Sequence, residues 1–106
     1  YQNKSPLTVT GNGEQRRDFT HVLDIVSGLY AMSLDEHSGD VYNLGTGANH
    51  SINELAALFN TEVIYVPKRR GEAWITLADI SKARSELKWE PTLKLENYVK
   101  RWLSEQ

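Results

Sequence analysis

Residues 41–55 read VYNLGTGANHSINEL, and this stretch decides what kind of fold the chain can have. Val41, Tyr42, Asn43 and Leu44 make a short run of strand-forming character that Gly45-Thr46-Gly47 stops, so the run is predicted as a strand entering a tight turn. Ser51 and Glu54 follow with the spacing of a capping box, in which each side chain satisfies a free amide of the first helical turn. Behind them, Ile52, Leu55, Ala56, Leu58 and Phe59 recur at the spacing of a buried helical stripe. A strand, a glycine turn and a helix in immediate succession make the chain mixed α/β.

Working outward, Leu7-Thr8-Val9-Thr10 alternates and is rich in β-branched residues, then meets Gly11-Asn12-Gly13, which predicts a strand ending where the chain reverses. Val22, Ile25, Val26 and Leu29 recur at helical spacing, with Thr20 as N-cap and Ser38-Gly39 as the close, so a helix is predicted over 21–34. On the other side, Val63-Ile64-Tyr65-Val66 is an apolar, β-branched run ended by Pro67, hence a further strand. Asp79 is placed to cap a short helix through Leu87 that Pro91 terminates. Leu95, Tyr98, Val99 and Trp102 mark a last amphipathic helix.

A chain of 106 residues, 40% hydrophobic and 25% charged, has room for one core, so residues 1–106 are expected to form a single domain. The absence of cysteine excludes disulfides, thiolate nucleophiles and cysteine zinc sites, and a cytoplasmic location is expected by default. No apolar run approaches the roughly 20 residues that cross a bilayer, so no membrane partner is expected. The formal charge is −2, which gives no general attraction to nucleic acid.

Five of the twelve basic residues nevertheless sit in two clusters, Arg16-Arg17 and Lys68-Arg69-Arg70. Both are loop positions near a glycine, where a scaffold presents side chains to a ligand; the bland alternative is two solvated turns. Arginine suits an anion because its planar fork grips two oxygens at once and stays charged. Other chemistry finds no support. His21, His37 and His50 lack metal-ligand spacing. Ser51 is in a cap rather than a nucleophile elbow. The Gly45-Thr46-Gly47 turn has His50 at the third glycine position of a dinucleotide fingerprint, and the next strand ends in Val66-Pro67 without an acid for a ribose. No cofactor or metal is therefore expected on this chain.

Three stretches, in this order and spacing, resemble the extended short-chain dehydrogenases/reductases that act on nucleotide sugars, most closely the 4-epimerase group. The first runs from Leu7 through Gly11-Asn12-Gly13 to Gln15-Arg16-Arg17-Asp18-Phe19 and His21-Val22, with Asp24 on the helix. The second is Tyr42-Asn43-Leu44-Gly45-Thr46-Gly47 with Ser51-Ile52-Asn53-Glu54-Leu55. The third joins Pro67-Lys68-Arg69-Arg70-Gly71-Glu72 to Ala78-Asp79-Ile80-Ser81-Lys82-Ala83 and Leu87-Lys88-Trp89-Glu90-Pro91.

The resemblance implies a small mixed lobe of short strands and about four helices, the C-terminal substrate-binding part of an NAD-dependent epimerase or dehydratase. It implies that Arg17 and Arg69 contact the diphosphate of a nucleotide sugar, a UDP-sugar above all. Glu72 falls at a ribose-binding acid, commonly Asp. Thr8 and Thr10, with Gly11 at the strand's end, run along the base; relatives often carry an aromatic residue where Thr10 stands, and Asn97 replaces a frequent glycine. NAD is expected on an N-terminal Rossmann domain that these residues do not contain, and no tyrosine is followed four places later by the lysine of the usual catalytic pair. No catalytic residue is thus expected here, and the chain alone is expected to be inactive. Asp18, Asp24 and Asp79 are read as structural groups, and Asn43 and Trp89 as turn or packing residues. Expected partners are the nucleotide sugar, the Rossmann domain and, further, a second copy in a homodimer. The alternative is a non-enzymatic interaction module that uses the face a Rossmann domain would cover.

Overall fold

A computed structural model describes residues 1–34 and 39–106. In chain order they form β1 (Leu7–Thr10), β2 (Arg16–Arg17), α1 (Val22–Leu34), β3 (His50–Ser51), α2 (Ile52–Ala57) and β4 (Val63–Val66), then a π-helical turn (Ala83–Leu87) and α3 (Leu95–Ser104). This is a small α/β lobe with two two-stranded sheets among the described residues. β1 and β4 run parallel with Leu7 opposite Val63 and Thr10 opposite Val66. A parallel pair needs a long crossover, here the whole stretch that carries α1 and α2. In the second sheet Arg16 faces Ser51 and Arg17 faces His50, antiparallel. Arg16 also bridges Ile75, its N–H donating to the Trp74 carbonyl at 2.9 Å while Thr76 N–H returns to the Arg16 carbonyl at 3.0 Å.

The core gathers around Ile80, Ala83 and Trp89, with Tyr42, Leu44, Ala78 and Leu87 packed against it. The Trp89 indole N–H donates to Ser27 Oγ at 2.9 Å, which ties the core to α1. On that helix the buried residues are Asp24 and Gly28; Leu44 packs so closely that a Cβ on Gly28 would lie 2.7 Å from its Cδ1. Asp24, only 3% exposed, accepts from Thr92 N–H and Leu93 N–H at 3.0 Å each and from the Thr92 hydroxyl at 3.1 Å. The apolar stripe that identifies α1 points outward instead, with Val22 65%, Val26 52% and Leu29 55% exposed.

Both bonds of the capping box are present, Glu54 N–H to Ser51 Oγ and Ser51 N–H to Glu54 Oε2, each 3.0 Å. Asp79, expected to cap the following helical turn, accepts from Ser81 N–H at 3.0 Å, but the turn winds as a π-helix whose N-cap is Lys82, without a side-chain cap bond, and which Lys88 closes at φ 54°. Val99 is the buried residue of α3, flanked by half-buried Leu95, Tyr98 and Trp102.

Two expectations need correction. Residues 41–44 form no strand: Val41 is 77% exposed while Tyr42 and Leu44 pack on the core. Strand propensity is a preference for a pleated, half-buried surface beside a paired edge, and no edge lies alongside among the described residues. The cap of α1 is His21 rather than Thr20. His21 Nδ1 accepts from Leu23 N–H at 3.0 Å, and its carbonyl accepts from Asp24 and Ile25; Thr20 instead donates to Asp18. Ser38, expected to close α1, lies outside the described residues, as does His37.

Candidate functional site

Val9 is 3% exposed, so the alternation of β1 turns Thr8 and Thr10 to the opposite face. Thr8 is exposed and Thr10 half-buried. Gly11 then reverses the chain at φ 68°, a left-handed conformation that glycine adopts without the steric cost other residues bear. The returning segment brings Gln15, 5% exposed, back over the strand end, where its Nε2 donates to the Thr10 carbonyl at 2.9 Å and to Glu72 Oε1 at 3.1 Å. The Thr10 hydroxyl donates to Glu72 Oε2 at 3.0 Å. Arg17 Nη2 stands 3.6 Å from Glu72 Oε1, both side chains 23% exposed, and its Nη1 donates to the Arg16 carbonyl at 2.8 Å. Glu72, on the loop beyond β4, is thus held by three side chains from the N-terminal segment. Beside them lies a pocket of about 210 Å³ lined by Thr10, Gly11, Gln15, Lys68, Glu72 and Trp74 with their neighbours.

Of the six residues expected to bind substrate, Glu72, Thr10 and Gly11 line this pocket, while Arg17 stands outside the lining and meets it through Glu72 at 3.6 Å. Thr8 sits one pleat away on the same face. Arg69 is exposed on the loop between β4 and Glu72, outside the pocket lining and without a hydrogen-bonding or ionic partner among the described residues. Arg16 is committed elsewhere, to Asn49 and Glu54. Gln15, Lys68 and Trp74 were not singled out from the sequence as site residues. Lys68 belonged to a visible basic cluster, but Trp74 reaches the pocket through the Arg16–Ile75 bridge, a long-range contact with no local signature.

Asp18 fixes the segment that follows Arg17. Its carboxylate accepts from Thr46 N–H at 2.9 Å, the Thr46 hydroxyl, Gly47 N–H at 3.1 Å, Ala78 N–H at 3.2 Å and the Thr20 hydroxyl at 3.2 Å. Burial alone would raise this carboxyl, but the Thr46 hydroxyl and the three backbone donors outweigh it and hold it below the ordinary 3.8. The amides of the Gly45-Thr46-Gly47 turn, which a dinucleotide phosphate would need, already donate to an anion of the protein itself. Gly45 is required by proximity, since a Cβ there would lie 2.5 Å from the Ala78 Cβ. Among the described residues no group of three or more His, Asp or Glu side chains is arranged to hold a metal, and no helix is long and apolar enough to cross a membrane.

The profile of the GDP-mannose 4,6 dehydratase family matches residues 1–102. The chain belongs to this family. A UDP-glucuronate 4-epimerase of Thermodesulfobacterium geofontis is 37% identical over 108 residues, covering 95% of this chain and 33% of that protein. A UDP-glucuronic acid decarboxylase of Arabidopsis thaliana is 36% identical over 109 residues, 96% of this chain and 25% of that protein. Among solved structures, an epimerase of Methanothermobacter thermautotrophicus superposes with a TM-score of 0.88 at 37% identity, over 97% of this chain and 34% of that one. The UDP-glucuronic acid 4-epimerase of Bacillus cereus, solved with UDP-glucuronic acid and NAD, superposes with a TM-score of 0.83 at 29% identity, over 95% and 37%. The chain therefore spans a quarter to somewhat over a third of the length of these relatives.

Proposed function

We propose that residues 1–106 are the C-terminal nucleotide-sugar-binding domain of an NAD-dependent epimerase or dehydratase, that Arg17 and Arg69 grip the diphosphate of a UDP-sugar, and that the chain alone does not turn over. The observation that supports this reading is the convergence of Arg17, Thr10 and Gln15 on Glu72, of which Thr10, Gln15 and Glu72 line one pocket. Arg17 meets Glu72 at 3.6 Å, beyond good hydrogen-bond length, so a phosphate oxygen competes for it on favourable terms. Arg69, exposed and unpaired among the described residues, is free to swing in from the neighbouring loop. Glu72, already oriented by Thr10 and Gln15, then offers its carboxylate to the ribose hydroxyls.

NAD would supply hydride transfer, and the residues present do not fit it: the glycine turn is engaged by Asp18 and the tyrosine–lysine pair is missing. The cofactor is accordingly assigned to a Rossmann domain of the full-length protein. A cytoplasmic setting suits a chain without cysteine. Calorimetric titration of UDP tests the clamp. Millimolar binding, roughly 4 kcal/mol, is expected for the 106-residue chain, with much smaller heats for Arg17→Ala and Arg69→Ala; equal heats from all three remove the clamp.

A second reading has its own observation. Val22, Leu23, Val26, Leu29, Tyr30 and Leu34 of α1 are each at least half exposed, an apolar face of a kind that marks contact surfaces. It suits either a Rossmann domain or a second copy of this chain. Sedimentation that depends on concentration and ignores UDP favours an interaction module over a ligand-binding lobe.

A further inference from the structure

Between β1 and β2, the turn Gly11-Asn12-Gly13 holds a pair of residues with chemistry of their own. Asn12-Gly13 is the one place in the sequence where asparagine precedes glycine. Asparagine is thermolabile because the nitrogen of the following peptide bond can attack its side-chain carbonyl. The attack meets least crowding where the next residue has no side chain.

The turn favours that attack in three ways. Asn12 is exposed, and its Nδ2, the leaving group, donates to no acceptor among the described residues. Its Oδ1 accepts from Glu14 N–H at 3.0 Å, which curls the side chain back over the Asn12–Gly13 peptide bond. That N–H also points at the oxygen on which negative charge develops as the carbonyl is attacked, the place where a fixed donor lowers a barrier most. The Gly13 nitrogen, finally, donates to no acceptor among the described residues, so no hydrogen bond has to break before it reacts.

The fold keeps the glycine in place. Gly13 sits at φ 76°, and a Cβ there would overlap the side-chain amide of Asn53. Asn53 is itself fixed, its Nδ2 donating to the Asn12 carbonyl and its backbone N–H to the Gly13 carbonyl, each at 2.9 Å. The labile dipeptide is therefore a consequence of how closely this turn packs on the first turn of α2.

We propose that Asn12 is a site of spontaneous deamidation and isomerisation. The Gly13 nitrogen bonds to Asn12 Cγ, the Cγ–Nδ2 bond breaks, and the Gly13 amide proton leaves with Nδ2 as ammonia, closing a succinimide. Water then opens the ring at Cγ to give aspartate, or at the main-chain carbonyl to give isoaspartate; nothing is oxidised or reduced. Either product adds a negative charge to a chain of formal charge −2, in the lining of the pocket beside Glu72. Isoaspartate also lengthens the main chain by a methylene, which moves the Gly13 carbonyl away from the Asn53 N–H it caps. The site stands whether or not that pocket takes a nucleotide.

The test is ageing of the 106-residue chain at mildly alkaline pH, followed by peptide mapping and enzymatic methylation of isoaspartate, with a peptide of residues 10–15 as the unfolded reference. Asn12 should convert ahead of the other six asparagines, at least as fast as the peptide, and more slowly at acid pH, where the attacking nitrogen keeps its proton. The isoaspartyl fraction should melt below the fresh chain. Asn12→Ser, whose hydroxyl can make the same turn, should age without that loss. Intact Asn12 after the peptide has converted overturns the proposal, as does conversion spread evenly over the asparagines. An equal loss of melting temperature in aged Asn12→Ser overturns the link between this turn and the anchoring of α2.

Discussion

Replacing Asp18 with alanine separates a structural carboxylate from a ligand-binding one. The change leaves the Thr46, Gly47 and Ala78 backbone N–H groups and the Thr20 and Thr46 hydroxyls without their shared acceptor. The hydroxyls can rotate toward water, so the cost falls on the three amides, at roughly 1–3 kcal/mol for each that stays buried. Asp18 is half-buried, and water reaches part of the loop, so the lower end applies and the total is about 3 kcal/mol. With a urea m-value of about 1–2 kcal/mol per molar for a small domain, the midpoint should fall by about 2 M, read by far-UV circular dichroism. Asp18→Asn keeps one acceptor oxygen but turns an NH2 toward a donor, so it should fall between the two.

The pH dependence has a definite sign. Because the folded carboxyl lies below its ordinary 3.8, its contribution is present above that value and disappears as pH falls through the folded pKa. The stability gap between the unaltered chain and Asp18→Asn should therefore be full near neutrality and close on acidification below about 3.8. An Asp18→Ala midpoint indistinguishable from the parent, or a gap unaffected by acid, would refute the anchoring role. Arg17→Ala supplies the contrast: it should abolish UDP heats with little change in the urea midpoint.

Gly45→Ala should destabilise by about 1–3 kcal/mol, as overpacking does, because its Cβ would meet the Ala78 Cβ at 2.5 Å and Asp18 Oδ2 at 2.9 Å; a melting temperature unchanged from the parent would show that Ala78 yields freely. Ser51→Ala removes the acceptor of Glu54 N–H and should cost about 1 kcal/mol, seen as a lower midpoint without loss of UDP binding.

What could be read from the sequence was whatever neighbouring residues settle between themselves. The capping box needs only Ser51 and Glu54, and both bonds form. Leu7–Thr10 and Val63–Val66 carry their β-branched composition and their stops within a few residues, and both are strands. Their parallel pairing was not visible, because it joins segments separated by most of the chain. The site divides along the same line. Arg17 and Glu72 came from a motif-level likeness, whereas the Thr10–Glu72 and Gln15–Glu72 contacts link positions 62 and 57 residues apart. Two of the three departures from the pattern the resemblance implies, Thr10 and Glu72, are hydrogen-bonded to each other at 3.0 Å.

The two places where burial or pairing falls short of the sequence pattern have a common physical cause. Residues 41–44 have strand composition but no paired edge, and Val41 is 77% exposed. Helix α1 has an apolar stripe with helical period, but its buried face is built from Asp24 and Gly28. A stripe that regular on a solvated helix would be selected against for solubility, and four successive strand-formers beside a glycine turn gain nothing from β-propensity without a neighbour. Both features become consistent if each is made to be covered by protein beyond these residues. Adding the missing surface should protect the Val41–Leu44 amides from hydrogen exchange. Unchanged exchange there in a longer protein would show that the strand pattern serves some other end.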